Sequence, residues 1–281
     1  MAFFPGHSSR KRFGQHWLID KAVLQRIIVA AELKNDDRVL EVGPGKGVLT
    51  ERLLASEAAA VHVIELDRDL VVGLKERFGS KKQFTLQEGD VLSVPLTPPD
   101  GIPSNKVVAN IPYNITGPLL ERLIGRLGRP IETSYKLLVL LMQKEVADRI
   151  LASPGQSSFS ALSVRIQLLA RGRRVCSVSP NCFKPPPKVQ SEVIALEPLS
   201  DKEHLDPFLA RKVETLLRTA FMARRKMLRN SLGRIIHLEK LDALAKGLGI
   251  SLNQRPQDLA PSIWFELARG LNMNDSVVSK P

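Results

Sequence analysis

RVLEVGPGKGVLTERLLASEA, from Arg38 to Ala58, starts as a strand, passes through a glycine-rich turn and finishes as a helix. Gly43, Gly45 and Gly47 alternate across the turn. Glycine at such a point lets the backbone bend sharply and approach a ligand with no side chain in the way. The N-terminus of the helix beyond it favours a negative group, such as a ligand carboxylate. A tight turn that binds nothing would ask for the same glycines. No Gly-Lys-Ser/Thr occurs in the stretch, which sets it apart from a phosphate-binding P-loop.

The alternation continues on both sides of this stretch. Before it, Val23, Leu24, Ile27, Ile28 and Ala31 fall on one helical face, with Asp20 placed to cap the helix. After it come a strand VHVIE (Val61 to Glu65), a helix from Asp67, a strand near Phe84 to Gln87, a strand KVVAN (Lys106 to Asn110), a helix from Thr116 and an apolar strand KLLVLLM (Lys136 to Met142). Strands and helices taking turns in this way predict an α/β, Rossmann-like domain with a parallel sheet covered on both faces. RRVCSVSP and SEVIALEP read as two further strands. From about residue 200 the pattern is helical, which predicts a catalytic domain over 1–199 and a smaller all-helical domain over 200–281, with a loose tail in the last ten residues.

Chemistry-bearing residues fall at the strand ends, where open parallel sheets bind ligands. Glu41 lies just inside the strand before the glycine loop. Glu65 ends the next strand, about 20 residues beyond the loop, where a carboxylate can take both hydroxyls of a ribose; a nicotinamide cofactor would use the same acid. Asp90, in EGDVL, could accept a hydrogen bond from an adenine amino group or could be an ordinary turn aspartate. Asn110-Ile111-Pro112-Tyr113 ends the fourth strand and reads either as a turn or as a base site. As a base site, the Asn110 amide oxygen and the Ile111 carbonyl would accept the hydrogens of an adenine amino group and turn its lone pair towards a methyl donor. Tyr113 would stack on the base.

The chain has 281 residues, 41 Lys and Arg against 29 Asp and Glu, and a formal net charge of +12. That excess points to a polyanionic partner, and a nucleic acid is the usual one. Candidate phosphate contacts are Arg10-Lys11-Arg12, Arg171 with Arg173-Arg174, and Arg224, Arg225 and Lys226 with Arg229; solvated faces would carry the same charges. Two cysteines, Cys176 and Cys182, cannot form a disulfide framework or a four-ligand zinc site. The histidines show no metal-ligand spacing, so no metal is expected. The longest apolar run, Leu137 to Met142, is too short to span a bilayer, and the N-terminal stretch lacks the long apolar segment of a secretory signal. A cytoplasmic location without membrane attachment is expected.

Taken together, the segments resemble the ribosomal RNA adenine dimethyltransferase family. The resemblance runs through RKRFGQHWL (Arg10 to Leu18), EVGPGKGVLT, IELD, EGD and NIPY, then FKPPPKVQS (Phe183 to Ser191) and ARRKMLRNSL (Ala223 to Leu232). It implies S-adenosylmethionine as methyl donor, bound at His16, Leu18, Gly43, Gly45, Glu65, Asp90 and Asn110. It assigns the target base to Asn110 and Tyr113, with Phe183 as a second aromatic wall. From the residues alone, Phe183 could equally be the core anchor of a proline-stiffened loop. Arg224, Arg225 and Lys226 are the implied RNA contacts. One position departs from the family, which usually reads Phe-Gly-Gln-Asn-Phe where this chain has Phe13-Gly14-Gln15-His16-Trp17.

The implied reaction is N6-dimethylation of two adjacent adenines in a 3′-terminal hairpin of small-subunit (16S) ribosomal RNA. The partner is that RNA within the small subunit or its precursor, the protein is a monomer, and it has a role in subunit maturation. Two alternatives are large-subunit (23S) adenine methylation of the antibiotic-resistance type and a mainly non-catalytic ribosome-assembly factor. DNA adenine methylation fits less well, because those enzymes tend to carry Asp or Asn followed by Pro-Pro-Tyr or Pro-Pro-Phe.

Overall fold

The structure, a computed structural model, describes residues 16–129, 131, 135–200 and 206–271. Phe13-Gly14-Gln15, the basic run Arg10-Lys11-Arg12 and the expected tail from 272 lie outside the described residues.

The first strand, β1 (Trp17–Leu18), precedes helix α1 (Lys21–Ala31). Asp20 caps α1 by accepting from the Val23 amide at 2.9 Å, and Val23, Leu24 and Ile27 face the core. Then follow β2 (Arg38–Val42), α2 (Val48–Leu54), β3 (Ala60–Glu65), α3 (Arg68–Phe78), β4 (Phe84–Glu88), β5 (Lys106–Asn110) and α4 (Thr116–Ile124). The strand β6 (Leu137–Gln143) leads into α5 (Lys144–Leu151) and α6 (Ala161–Gln167). Then come β7 (Ala170–Val178), β8 (Phe183–Lys184) and β9 (Ser191–Pro198).

Seven strands form one sheet in the order β4-β3-β2-β5-β6-β9-β7. From β4 to β6 every neighbouring pair is parallel. Their two covered faces explain why runs such as Leu137 to Met142 are apolar at every position instead of alternating. The wholly parallel sheet expected from the alternation stops at β6, because β9 pairs antiparallel to it, with Val139 opposite Ala195. Connection length bears on β9's other neighbour: β9 returns from β7 through a loop holding only a 3-10 turn and β8, too short for the crossover a parallel pair needs, and it is inserted between β7 and β6 running against β6. That return also lays β8 antiparallel to β1, with Leu18 opposite Phe183, although the two strands lie far apart in the chain.

Two compact units emerge. One comprises the described parts of Met1–Ile124, Glu132–Ala147 and Gly172–Pro198; the other comprises Gly125–Ile131, Asp148–Arg171 and Leu199–Pro281. The division thus differs from a single cut at residue 200, since 125–131 and 148–171 group with the later chain. Among the described residues of 206–271 the regular elements are helices: α7 (Pro207–Met222), α8 (Leu228–Leu232), α9 (Leu238–Gly247) and α10 (Pro261–Arg269). Trp264 of α10 is fully buried in this unit, as are Val213, Leu216 and Leu217 of α7. Arg165 of α6 grips the Glu214 carboxylate of α7 with two nitrogens at 2.9–3.0 Å.

Gly47 shows what the glycine loop needs from its sequence. It sits at φ +74°, and a Cβ there would lie 2.6 Å from Phe78 Cε2 and 2.9 Å from Leu74 Cδ2. Gly47→Ala is therefore expected to lower stability by about 2–4 kcal/mol, combining left-handed strain with overpacking. Gly155, at φ +86° with open space around its missing Cβ, isolates the strain alone. Denaturant midpoints should fall clearly further for Gly47→Ala than for Gly155→Ala; equal falls would mean that the Gly47 turn does not pack against α3 as described.

Candidate active site

The carboxyl ends of β2, β3, β4 and β5 open onto a cavity of about 360 Å³, within the usual range for small-molecule sites. His16 lines it beside Trp17 and Leu18 of β1; the glycine loop contributes Gly43, Gly45 and Lys46; Glu65, Asp90, Asn110 and Tyr113 come from the ends of β3, β4 and β5. Residues expected from separate motifs to bind one cofactor and one base thus share one cavity.

Glu65 is the polar hinge of the cavity. One carboxylate oxygen accepts from the Asp67 amide at 2.8 Å and the other from the Gly45 amide at 3.2 Å, so the acid also ties down the glycine loop. Burial pushes its pKa up to about 6, against the pull of the backbone amides of Asp67 and Gly45. Glu41, in β2 and 1% exposed, is pushed further, to about 8; burial is the main cause and the Glu65 charge adds to it, while hydrogen bonding to Thr50 opposes it. A cation in the cavity would favour the ionised form of both acids.

The sign of the pH effect follows. Between the ordinary value of 4.5 and about 8, the folded chain holds protons on these carboxyls that the unfolded chain has released. Stability of the cofactor-free protein is therefore expected to fall as pH rises through that window. Thermal midpoints between pH 5 and 8.5 measure the slope. Glu41→Gln should flatten most of it, and an unchanged slope in that variant would show that Glu41 is not its source.

Gly45 illustrates close approach. At φ +58° its missing Cβ would lie 2.8 Å from Trp17 Cδ1, so the indole packs directly on the loop, and Lys46 Nζ stands 4.1 Å from the Trp17 ring centroid. Trp17 was not singled out from the sequence. Its signal was only adjacency to His16, because its position depends on β1 pairing with β8.

At the end of β5, the Asn110 side-chain amide donates to the His16 carbonyl at 3.1 Å, which leaves its oxygen free to act as an acceptor. The Tyr113 hydroxyl meets the buried Ser191 Oγ at 2.5 Å, and burial raises its pKa so that the phenol stays neutral. The Tyr113 ring stacks on His16 with centroids 5.6 Å apart and planes 28° apart. Asp90 is exposed on the cavity rim, and one of its oxygens accepts from the Leu92 amide at 2.9 Å, so it serves its own turn while lining the site.

Phe183 sits apart from these residues. It is 3% exposed and belongs to the apolar core with Leu18 and Val178, and it does not line the cavity. Facing Leu18 across the β1–β8 pair, its ring shares the buried side of that ladder. In this structure its ring is packed in the core beneath its loop. Arg224, Arg225 and Lys226 are exposed in the turn after α7, in the second unit, where Arg224 donates to the Ser157 carbonyl. Among the described residues no group of three or more His, Cys, Asp or Glu is placed to hold a metal ion, and no helix is long and apolar enough to cross a membrane.

The family model described as Ribosomal RNA adenine dimethylase matches residues 6–272 of this chain. The chain belongs to that family. As a ribosomal RNA adenine dimethylase it is similar over nearly its whole length to curated relatives named Ribosomal RNA small subunit methyltransferase A. The one from Prochlorococcus marinus (strain MIT 9313) is 66% identical over 99% of each chain. The one from Synechococcus sp. (strain WH7803) is 64% identical over 98% of this chain and 99% of the relative. A dimethyladenosine transferase structure from Plasmodium falciparum superposes with a TM-score of 0.77 at 29% identity, covering 90% of this chain and 96% of that one. The structure of the 23S rRNA methyltransferase ErmE does so with a TM-score of 0.73 at 26% identity, covering 91% and 99%. The dimethylase is an enzyme with ribosomal RNA as its substrate and S-adenosylmethionine as its methyl donor. The cavity suits that donor: Glu41 and Glu65, two buried carboxyls, line it together with Gly43 and Gly45, where a cationic ligand would meet them.

Proposed function

We propose that this chain dimethylates the N6 amino groups of two adjacent adenines in a 3′-terminal hairpin of small-subunit (16S) ribosomal RNA, and thereby takes part in small-subunit maturation. The reading rests on one observation above the others: Glu65, Asp90, Asn110 and Tyr113 converge on a single cavity at the sheet's carboxyl edge. The names carried by the full-length relatives at 64–66% identity favour the small subunit over the large.

When bound, S-adenosylmethionine supplies a methyl group already activated by its sulfonium. Glu65 takes the ribose hydroxyls, Asp90 the adenine amino group of the donor, and Gly43, Gly45, Leu18 and His16 enclose the rest. The target amino nitrogen is a poor nucleophile because its lone pair is delocalised into the ring. The Asn110 amide oxygen and the Ile111 carbonyl accept its two hydrogens and draw it towards a tetrahedral shape. No strong base is needed before attack, so catalysis lies in positioning and in fixed dipoles. The target base leaves its stack and lies against Tyr113. Arg224, Arg225 and Lys226 contact RNA phosphates, which position the substrate without reading its sequence. The protein works as a cytoplasmic monomer and without a metal ion.

Labelled methyl transfer to purified, unmodified small subunits, followed by mapping of the modified bases, tests the reading. Two adjacent dimethyladenosines near the 3′ end of the small-subunit RNA are expected. Label confined to large-subunit RNA would move the chain to the other branch.

A further inference from the structure

His16 stands where the family's usual residue is an asparagine, and its contacts in this structure differ from those of a simple cofactor ligand. Its carbonyl receives the Asn110 amide hydrogen at 3.1 Å. Its ring stacks on Tyr113 at 5.6 Å and 28°. Its Nδ1 lies 2.9 Å from the Pro185 carbonyl oxygen; a carbonyl only accepts, so Nδ1 carries the proton. Pro185 begins the loop that ends at Ser191, whose hydroxyl holds the far end of Tyr113 at 2.5 Å. The contacts close a circuit: His16 to Tyr113, Tyr113 to Ser191, along the loop to Pro185, and back to His16. Three chain segments, around residues 16, 110–113 and 185–191, are thereby locked at the base site.

We propose that His16 is a positioning residue for the target adenine, which fixes the Asn110 amide and the Tyr113 ring as one rigid acceptor-and-stacking unit. The proposal rests on the reading of Asn110 and Tyr113 as the groups that meet the base. A rigid unit of this kind matters more for the second methyl transfer than for the first, because a once-methylated nitrogen has one hydrogen left and must present it in a single orientation. An asparagine at position 16 could donate to Pro185 but could not stack; a phenylalanine could stack but could not donate.

The test uses His16→Ala, His16→Asn and His16→Phe in the full chain. His16→Ala is expected to slow single-turnover methyl transfer by about tenfold or more. Because His16 also lines the donor cavity, some loss of calorimetric affinity for S-adenosylhomocysteine is expected, but the loss of single-turnover rate should exceed it several-fold. The product of His16→Ala should shift from dimethyl- towards monomethyladenosine, and His16→Asn, which restores the donor to Pro185, and His16→Phe, which restores the stacking, should each recover part of the dimethyl product. Hydrogen exchange, which needs no activity, should show faster amide exchange in both 110–115 and 185–191 for His16→Ala. Equal losses of rate and cofactor affinity, or unchanged exchange in both segments, would overturn the proposal. If the unaltered chain methylates no ribosomal RNA, the functional reading falls, while the exchange comparison still decides whether His16 couples the segments.

Discussion

Replacing Asn110 by alanine is expected to slow methyl transfer by about 10²–10³-fold, the loss typical when one preorganised polar group facing a transition state is removed. In this structure the side-chain amide donates to the His16 carbonyl; on the proposed reading, its oxygen accepts from the target amino group. Alanine removes both without adding bulk, and the half-exposed end of β5 is not a core position, so the protein should still fold and bind RNA. Asn110→Asp separates the two jobs: it keeps an acceptor but sets a carboxylate against the His16 carbonyl, and should lie between alanine and the native rate. Single-turnover transfer with saturating donor reads the effect. A native rate in Asn110→Ala would remove Asn110 from the chemistry. Survival of RNA binding and of any cellular role in that variant, with transfer lost, would mean that the chain also acts as an assembly factor.

Glu65→Ala should weaken donor binding by about 10²-fold, the combined effect of losing hydrogen bonds to a charged acceptor. Part of the loss comes from the ribose hydroxyls. The rest comes from the Gly45 and Asp67 amides, which lose the carboxylate that holds the glycine loop in shape. Glu65→Gln retains a neutral acceptor and should cost about tenfold, because the amide binds one donor well and cannot offer a charge to the second. Calorimetry with S-adenosylhomocysteine measures both variants. Glu65→Ala protein binding as tightly as the native chain would place the donor elsewhere.

The two predictions differ in how visible their residues were beforehand. Glu65 could be read from its place at a strand end some 20 residues past the glycine loop, a spacing set by one strand–helix–strand step. Asn110 could be read from the same logic with less force, since Asn-Ile-Pro-Tyr suits an ordinary turn as well. Glu41 was visible as an acid in an apolar strand, but its raised pKa was not, because that depends on being 1% exposed beside Glu65. Phe183 was ambiguous for a related reason. A Phe followed by prolines is compatible with a base wall or a core anchor, and only its pairing opposite Leu18 chose the core.

By itself the sequence determined the local alternation of strands and helices, the glycine loop, the Asp20 cap and the order in which acids and amides arrive at the sheet edge. These follow from short-range rules: periodicity, capping and the conformational freedom of glycine. The tertiary structure alone decided that β9 turns antiparallel beside β6, that 125–131 and 148–171 join the helical unit, and that β8 lies on β1. The last of these brings His16 against Pro185, 169 positions away, and so builds the base site from segments that carry no local sign of each other. Contacts of that range form only when burial of the shared core outweighs the entropy of closing so long a loop, a balance struck by the whole chain and written in no single stretch of it.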